Sequence, residues 1–301
     1  MIPREIYWRL LFWPQFAGVL FLIIALIPVR RQLFFNHGDL AALGRVFVPV
    51  SLAVFGAEHL VSANFMAQMV PPWMPGRLFW AYFVGFALFA AAISIVSMKR
   101  VRLSATLLGI LFLMFVLSLH LPNVMRNPED RFAWAVALRD LVFAAGAWAL
   151  AGTPLEGPVQ AAPRGVATCR VVFALVLLFF GIEHVLHPEF APGVPLEQPT
   201  PAWIPARPVW GYLIGAILLM SGVSMLMNRR ARAAGTWLGV AITLVVAFIY
   251  LPMFVVAAQP SEMNTAVNYI ADTLLFAGSI FLLAAAIPAG ASIPDFVRQR
   301  A

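Results

Sequence analysis

Long apolar runs alternate with short polar turns along the whole chain, and the runs set the architecture. Nine of them approach the length of about 20 residues that a helix needs to cross a bilayer. They are Leu10–Val29, Leu43–Asn64, Phe79–Met98, Leu103–Leu121, Ala133–Ala151, Ala167–His187, Val209–Met227, Gly235–Val256 and Ala266–Ile287. The expected fold is therefore all-α, a polytopic membrane protein of about nine transmembrane helices. Pro14 and Arg9 stand near the start of the first run, where a tilted or interfacial helix would also suit them.

Composition sharpens this picture. Of 301 residues, 62% are hydrophobic and 11% charged, and the mean hydropathy is +0.89. A soluble domain carries about a quarter charged residues. Hydrocarbon must replace water around most of this surface. A formal charge of +7 and a pI near 10.5 could suggest nucleic acid. The basic residues instead sit in short clusters between apolar runs, as topology signals do. Arg30, Arg31, Lys99, Arg100, Arg102, Arg164, Arg170, Arg229, Arg230, Arg232, Arg298 and Arg300 fall on one side of a nine-span arrangement. Arg4, Arg9, Arg77, Arg126, Arg131 and Arg207 fall on the other. The larger group marks the cytoplasmic side, so the C-terminus is expected inside the cell. Cys169 is the single cysteine, which excludes an intrachain disulfide and dithiol chemistry within the chain. The first apolar run lacks a small-residue cleavage site, so no removable signal peptide is expected.

Polar landmarks recur in order. Glu58-His59 returns as Glu183-His184, 125 residues later. Pro72-Trp73-Met74-Pro75 resembles Ala202-Trp203-Ile204-Pro205, and Trp80, Tyr82 and Gly85 match Trp210, Tyr212 and Gly215 at an offset of 130, so the second loop is stretched by five residues. Lys99–Arg102 matches Arg229–Arg232, Gly109 matches Gly239, His120-Leu121-Pro122 matches Tyr250-Leu251-Pro252, and Asp140 and Gly146 match Asp272 and Gly278. Each copy spans four helices. An even number returns the chain to its starting side, so the copies are parallel repeats related by an axis near the membrane normal. The expected organisation is an N-terminal helix and basic turn (1–40), a first repeat (41–154), a second repeat (155–290) and a cytoplasmic tail (291–301).

These landmarks resemble the DoxX-like family of bacterial membrane proteins. The resemblance rests on a helix ending in Glu-His, then "VPPWMP", "FWAYFVGFAL", the basic turn "KRVR", "LLGILFLMFVLSLHLPNV" and the helix opening "RDLVFAAGAWAL". It covers residues from about Leu43 to Ile287, and the first copy is the closer match. Relatives are commonly single four-helix units, so the chain looks like a fused tandem pair with one extra helix. The resemblance implies an inner-membrane protein linked to redox chemistry, with a quinone as its small molecule and a redox partner protein beside it.

The residues themselves point to a site on the outer side. An ionised group in the middle of a spanning helix costs about 2.5–3.5 kcal/mol on insertion scales and usually faces a bundle interior. Counting the helical rise puts Glu58 and His59 roughly 22 Å above the cytoplasmic start of their helix, and Asp140 roughly 10 Å below the outer start of its own. The two levels nearly coincide, and His120 lies slightly higher. Glu183, His184, Tyr250 and Asp272 repeat the pattern, and His187 adds to it. Neighbouring residues on a helix point about 100° apart, so Glu58 and His59 each need a partner from elsewhere. Asp140 and His120 are the natural candidates in the first copy, and Asp272 and Tyr250 in the second. Groups so placed could hold or pass a proton near neutral pH.

Plain interhelical bonding explains such groups at about 0.6–2 kcal/mol per contact. A ligand or quinone pocket is the sharper reading, followed by a metal site and proton-coupled transport. Trp73 and Trp203 suit the membrane interface, or a lid that stacks on a flat ligand. No phosphate-cradling loop, nucleophile elbow or Cys-X-X-Cys appears. The expected function is an accessory redox-linked subunit with an outer polar pocket for a small lipophilic molecule, lined by Glu58, His59, Trp73, His120 and Asp140 in the first copy and by Glu183, His184, Trp203, Tyr250 and Asp272 in the second. A proton-coupled carrier and a membrane oxidoreductase are the alternatives.

Overall fold

The computed structural model describes residues 4–34, 40–153, 164–190 and 199–288. Among these the chain is all-helical, and nine helices are long and apolar enough to cross a membrane by length and composition. The helices are α1 (Arg4–Phe34), α2 (Gly44–Val61), α3 (Ala63–Met69), α4 (Arg77–Ser97), α5 (Val101–Phe115), α6 (Leu121–Arg126), α7 (Arg131–Gly152), α8 (Arg164–Leu186), α9 (Arg207–Leu226), α10 (Ala231–Val245), α11 (Leu251–Val256) and α12 (Pro260–Ala286). The nine apolar runs fall on α1, α2, α4, α5–α6, α7, α8, α9, α10–α11 and α12. The expected boundary at 154–155, the stretch that lengthens the second Trp-Pro loop (191–198) and the tail at 291–301 lie outside the described residues.

Pro14 and Pro28 lie within α1 without ending it. This helix offers a narrow inner stripe of Ala17, Phe21, Ala25 and Val29, at steps of four, while Phe12, Phe16, Ile23 and Ile27 face outward. It packs along α2, where Gly18 lets Val54 come close: a Cβ at Gly18 would stand 2.8 Å from Val54.

Proline also shapes the two helices that carry His120 and Tyr250. Pro122 and Pro252 lack the amide hydrogen for the bond four residues back, and the ring crowds that carbonyl. The chain widens into a π-helical turn at Val116–His120 and again at Val246–Tyr250. Such turns are frequent at functional sites.

The turns after α4 and α9 share one construction. Lys99 N–H donates to Ser94 O at 3.2 Å and Arg229 N–H to Ser224 O at 3.0 Å, closing each helix with a left-handed turn. Met98 and Arg100 have φ of 56° and 54°, Asn228 and Arg230 of 54° and 51°. Before α4, Gly76 takes φ 66°; before α9 the same place is held by Ala206 at φ 50°, where a side chain is strained by about 1–2 kcal/mol.

Packing follows one scheme in both halves. α2 lies on α4, α4 on α5 and α5 on α7; likewise α8 lies on α9, α9 on α10 and α10 on α12. The halves meet by exchange, with α2 packed on α12, α8 on α7, and α7 against α12. The central helix α12 has 78% of its apolar window buried, against 22% for the peripheral α5–α6 helix. Small residues permit the close approaches. A Cβ at Gly44 would stand 2.8 Å from Leu282 N, and one at Gly278 would stand 3.0 Å from Val48 N. A Cβ at Gly146 would stand 2.5 Å from Ser279 Cβ and 2.9 Å from Ser279 Cα.

A substitution test follows. Gly146→Ala should lower stability by about 1–3 kcal/mol, because backbone as well as side chain blocks the added methyl. Gly165→Ala, with nothing within 4 Å, should leave it unchanged. Thermal unfolding of the two purified variants checks the contrast.

Candidate functional site

Three helices bring charge to the junction between the halves. α7 begins where Asp130 accepts from Phe132 N–H at 2.9 Å, and two turns further on it presents Arg139 and Asp140 inward. α12 begins with a capping box of Gln259 and Glu262 and presents Asn268 and Asp272 to the same space. α2 adds Glu58 near its end.

Arg139 is the hub. Its Nη1 donates to Asp272 Oδ2 at 2.7 Å, and its Nε to Asp140 Oδ1 at 3.3 Å. Its guanidinium also lies over the Phe143 ring, 5.6 Å from the centroid. His120, carried round by the π turn, donates from Nε2 to Asp140 Oδ2 at 2.9 Å. Glu58 faces Asp272 and Asn268 on α12. It is 3% exposed, and its Oε1 has no hydrogen-bond partner among the described residues. Asn268 Nδ2 in turn donates to Asn264 O at 3.0 Å.

The expected partners are therefore corrected in part. His120 and Asp140 do meet, but they do not close on Glu58 and His59. α2 packs on α12 rather than on α7, so Glu58 finds the carboxylate of the other half. The same exchange holds for Glu183 on α8. Its partner is not Asp272 or Tyr250 but Arg131 on α7, whose Nε donates to Oε2 at 2.8 Å. Arg131 also lies over Phe190, 4.9 Å from the ring centroid. Tyr250 is fully buried and stacks on Tyr269 at 5.5 Å. His187 stands at the edge, its Nδ1 3.5 Å from Glu189 Oε1.

The histidines turn away from their neighbouring glutamates, as the helical step requires. His59 Nδ1–H donates to Phe55 O at 2.8 Å and His184 Nδ1–H to Phe180 O at 2.7 Å, each within its own helix. Gly85 on α4 and Gly215 on α9 make room: a Cβ there would stand 3.1 Å from His59 Cβ and 3.0 Å from His184 Cβ. His184 is fully buried. His59 instead reaches a cavity of about 530 Å³ between α4 and α5, beneath the first Trp-Pro loop. Trp73, Trp80, Met114, Ser118 and Leu108 are among its walls, and His59 is the one ionisable side chain in the lining. Trp73 sits at the rim, 71% exposed, and Trp80 Nε1 holds the loop by donating to Pro75 O at 3.0 Å. Trp203, also exposed, takes no part in this cavity.

The sequence pointed to one polar pocket in each half; the residues of the first copy instead divide between a charged junction and an apolar cavity. Sequence reasoning passed over Arg139 and Asn268. The signal for Arg139 was present, since an arginine inside a spanning run is a functional pointer in its own right. Among the described residues, no three His, Cys, Asp or Glu side chains converge as a metal-binding set.

A family model described as a domain of unknown function (DUF8561) matches residues 48–151, which are α2 to α7 without the start of α2. A search of the curated proteins found no match, and a search of the solved structures found none.

The hub carries a stability prediction. Arg139→Met removes the cation from the buried Asp140 and the partly buried Asp272 and should destabilise by about 3–5 kcal/mol. Adding Asp272→Asn should recover part of the loss. Denaturation of the single and double variants in the same detergent measures the coupling.

Proposed function

We propose that the chain is a multi-pass inner-membrane protein of the DoxX-like kind, built from two parallel four-helix repeats and an N-terminal helix. It holds a small lipophilic molecule such as a quinone beside His59. The repeat reading is supported by the recurrence of detail at matched positions: both π turns, both left-handed turns and both histidine bonds to the carbonyl four residues back. Membrane insertion is supported by the nine apolar helices and their outward-facing Phe, Leu, Ile and Val. The basic turns after α4 and α9 support a cytoplasmic placement of that end and of the C-terminus.

One observation carries the ligand reading: the cavity of about 530 Å³, apolar apart from one imidazole and two serines, Ser104 and Ser118. Its size and chemistry suit a small-molecule site, where a few polar groups orient an apolar guest. With Nδ1–H committed to Phe55 O, a neutral His59 presents Nε2 as an acceptor. It would accept from the hydroxyl of a quinol. Protonated, it would donate to a quinone carbonyl. Trp73 at the rim offers a flat surface to a flat ring. The chain would act as an accessory subunit, the quinone or a redox partner protein carrying the electrons.

Binding of a short-tail benzoquinone to the protein in lipid nanodiscs, followed by quenching of tryptophan fluorescence, tests this. His59→Ala should weaken binding about tenfold, equivalent to about 1.4 kcal/mol. Ala87→Phe, which fills the cavity, should abolish it. Equal affinity in wild type and both variants would exclude the site.

A further inference from the structure

The charged junction holds more carboxyl groups than cations. Asp140 and Asp272 share the single guanidinium of Arg139, His120 is the other partner of Asp140, and Glu58 meets only Asp272 and the neutral amide of Asn268. Full ionisation with a neutral imidazole would leave two negative charges in excess in a buried space. Burying unpaired charge is costly enough that such a group gives up its charge instead. One proton can reside in the His120–Asp140 pair. The other belongs where pairing is poorest, and that is Glu58: no cation reaches it, Asp272 faces it, and its Oε1 is buried without a partner. On the other flanks of α2, α1 and α4 bring no charged side chain to Glu58 among the described residues. A metal ion is a poorer occupant, for among the described residues no three His, Cys, Asp or Glu side chains converge there as a ligand set.

We infer that the junction between the two halves is a proton-binding site, in which Glu58 carries a dissociable proton exchanged with the outside by way of His120. His120 is the partly open member of the chain, its side chain 22% exposed against 7% for Asp140 and 14% for Asp272. A proton arriving on the imidazole passes to Asp140. Asp272, held 2.7 Å from the shared Arg139, is the next carboxylate towards Glu58. No bond between heavy atoms is made or broken; each acceptor takes the proton that its neighbour releases. The inference goes beyond the cavity reading and does not rest on it, since His59 and the cavity lie on the other side of α2.

Infrared difference spectroscopy between acidic and alkaline pH, on protein reconstituted in lipid, tests it. Wild type should show a carboxylic-acid C=O band that titrates and moves in heavy water. In Glu58→Gln the band should vanish, and proton uptake read by an indicator dye should fall by one proton per chain. Glu58→Asp should keep a band at a shifted frequency, which serves if Glu58→Gln does not fold. His120→Gln should slow uptake at unchanged stoichiometry. The inference is overturned by a wild type with no titrating carboxylic-acid band, by a band that survives Glu58→Gln, or by an unshifted band in Glu58→Asp. Displacement of the band by sodium at fixed pH would make the place a cation site and overturn it too.

Discussion

The arginine at position 139 has to be neutralised where it sits, and the architecture is arranged so that it is. A buried ion left alone costs several kcal/mol, whereas a paired one with its hydrogen bonds made is tolerated. Arg139 takes Asp140 from its own helix and Asp272 from α12, so the pairing is met only when α7 and α12 lie at one register. Gly146 opposite Ser279 lets the two backbones come close enough for that reach. The ion pair and the small-residue contact specify the same interface, one by charge and the other by shape. Around it the other helices attach in the same order on both sides.

From that interface follows the division of labour along α2. Its inner face meets α12 and its flank meets α4, and consecutive residues fall on different faces of a helix. Glu58 enters the charged junction while His59 is delivered to the apolar cavity. α8 divides Glu183 and His184 in the same manner, yet the outcomes differ. Glu183 meets a cation, Arg131, and His184 is wholly enclosed. The likeness of the halves is thus one of backbone, and the chemistry at matched positions has separated.

What the sequence made legible was whatever depends on one helix at a time. Among the described residues, hydropathy located all nine helices long and apolar enough to cross a membrane, and the spacing of Glu-His, Trp-Pro and Leu-Pro landmarks marked matched positions whose turns prove alike. Helix pairing was not legible. The offset between matched landmarks says which positions correspond in sequence, but not that α2 packs on α12 instead of α7. The partners assigned to Glu58 and Glu183 were therefore drawn from the wrong half. The π turns were also hidden, although their cause, Pro122 and Pro252, stood beside the residues singled out. Pro14, which would also suit a tilted or interfacial helix, lies within the continuous α1.

Exchange of first helices gives a physical reason for holding both halves in one chain. Half of the molecule alone would expose the face of α2 that carries Glu58, and two identical halves would present identical partners to both glutamates. In a single chain the partners can diverge. At matched places Arg131 stands against Met263, Val136 against Asn268, Arg139 against Ala271 and His120 against Tyr250. Each difference moves cationic or polar capacity from one side of the junction to the other. Glu183 ends paired with a full charge, while Glu58 ends facing an amide and a carboxylate. A symmetric assembly of single units would have to repeat either arrangement twice. Covalent linkage permits one glutamate with a cation beside it and one without to coexist a few helices apart.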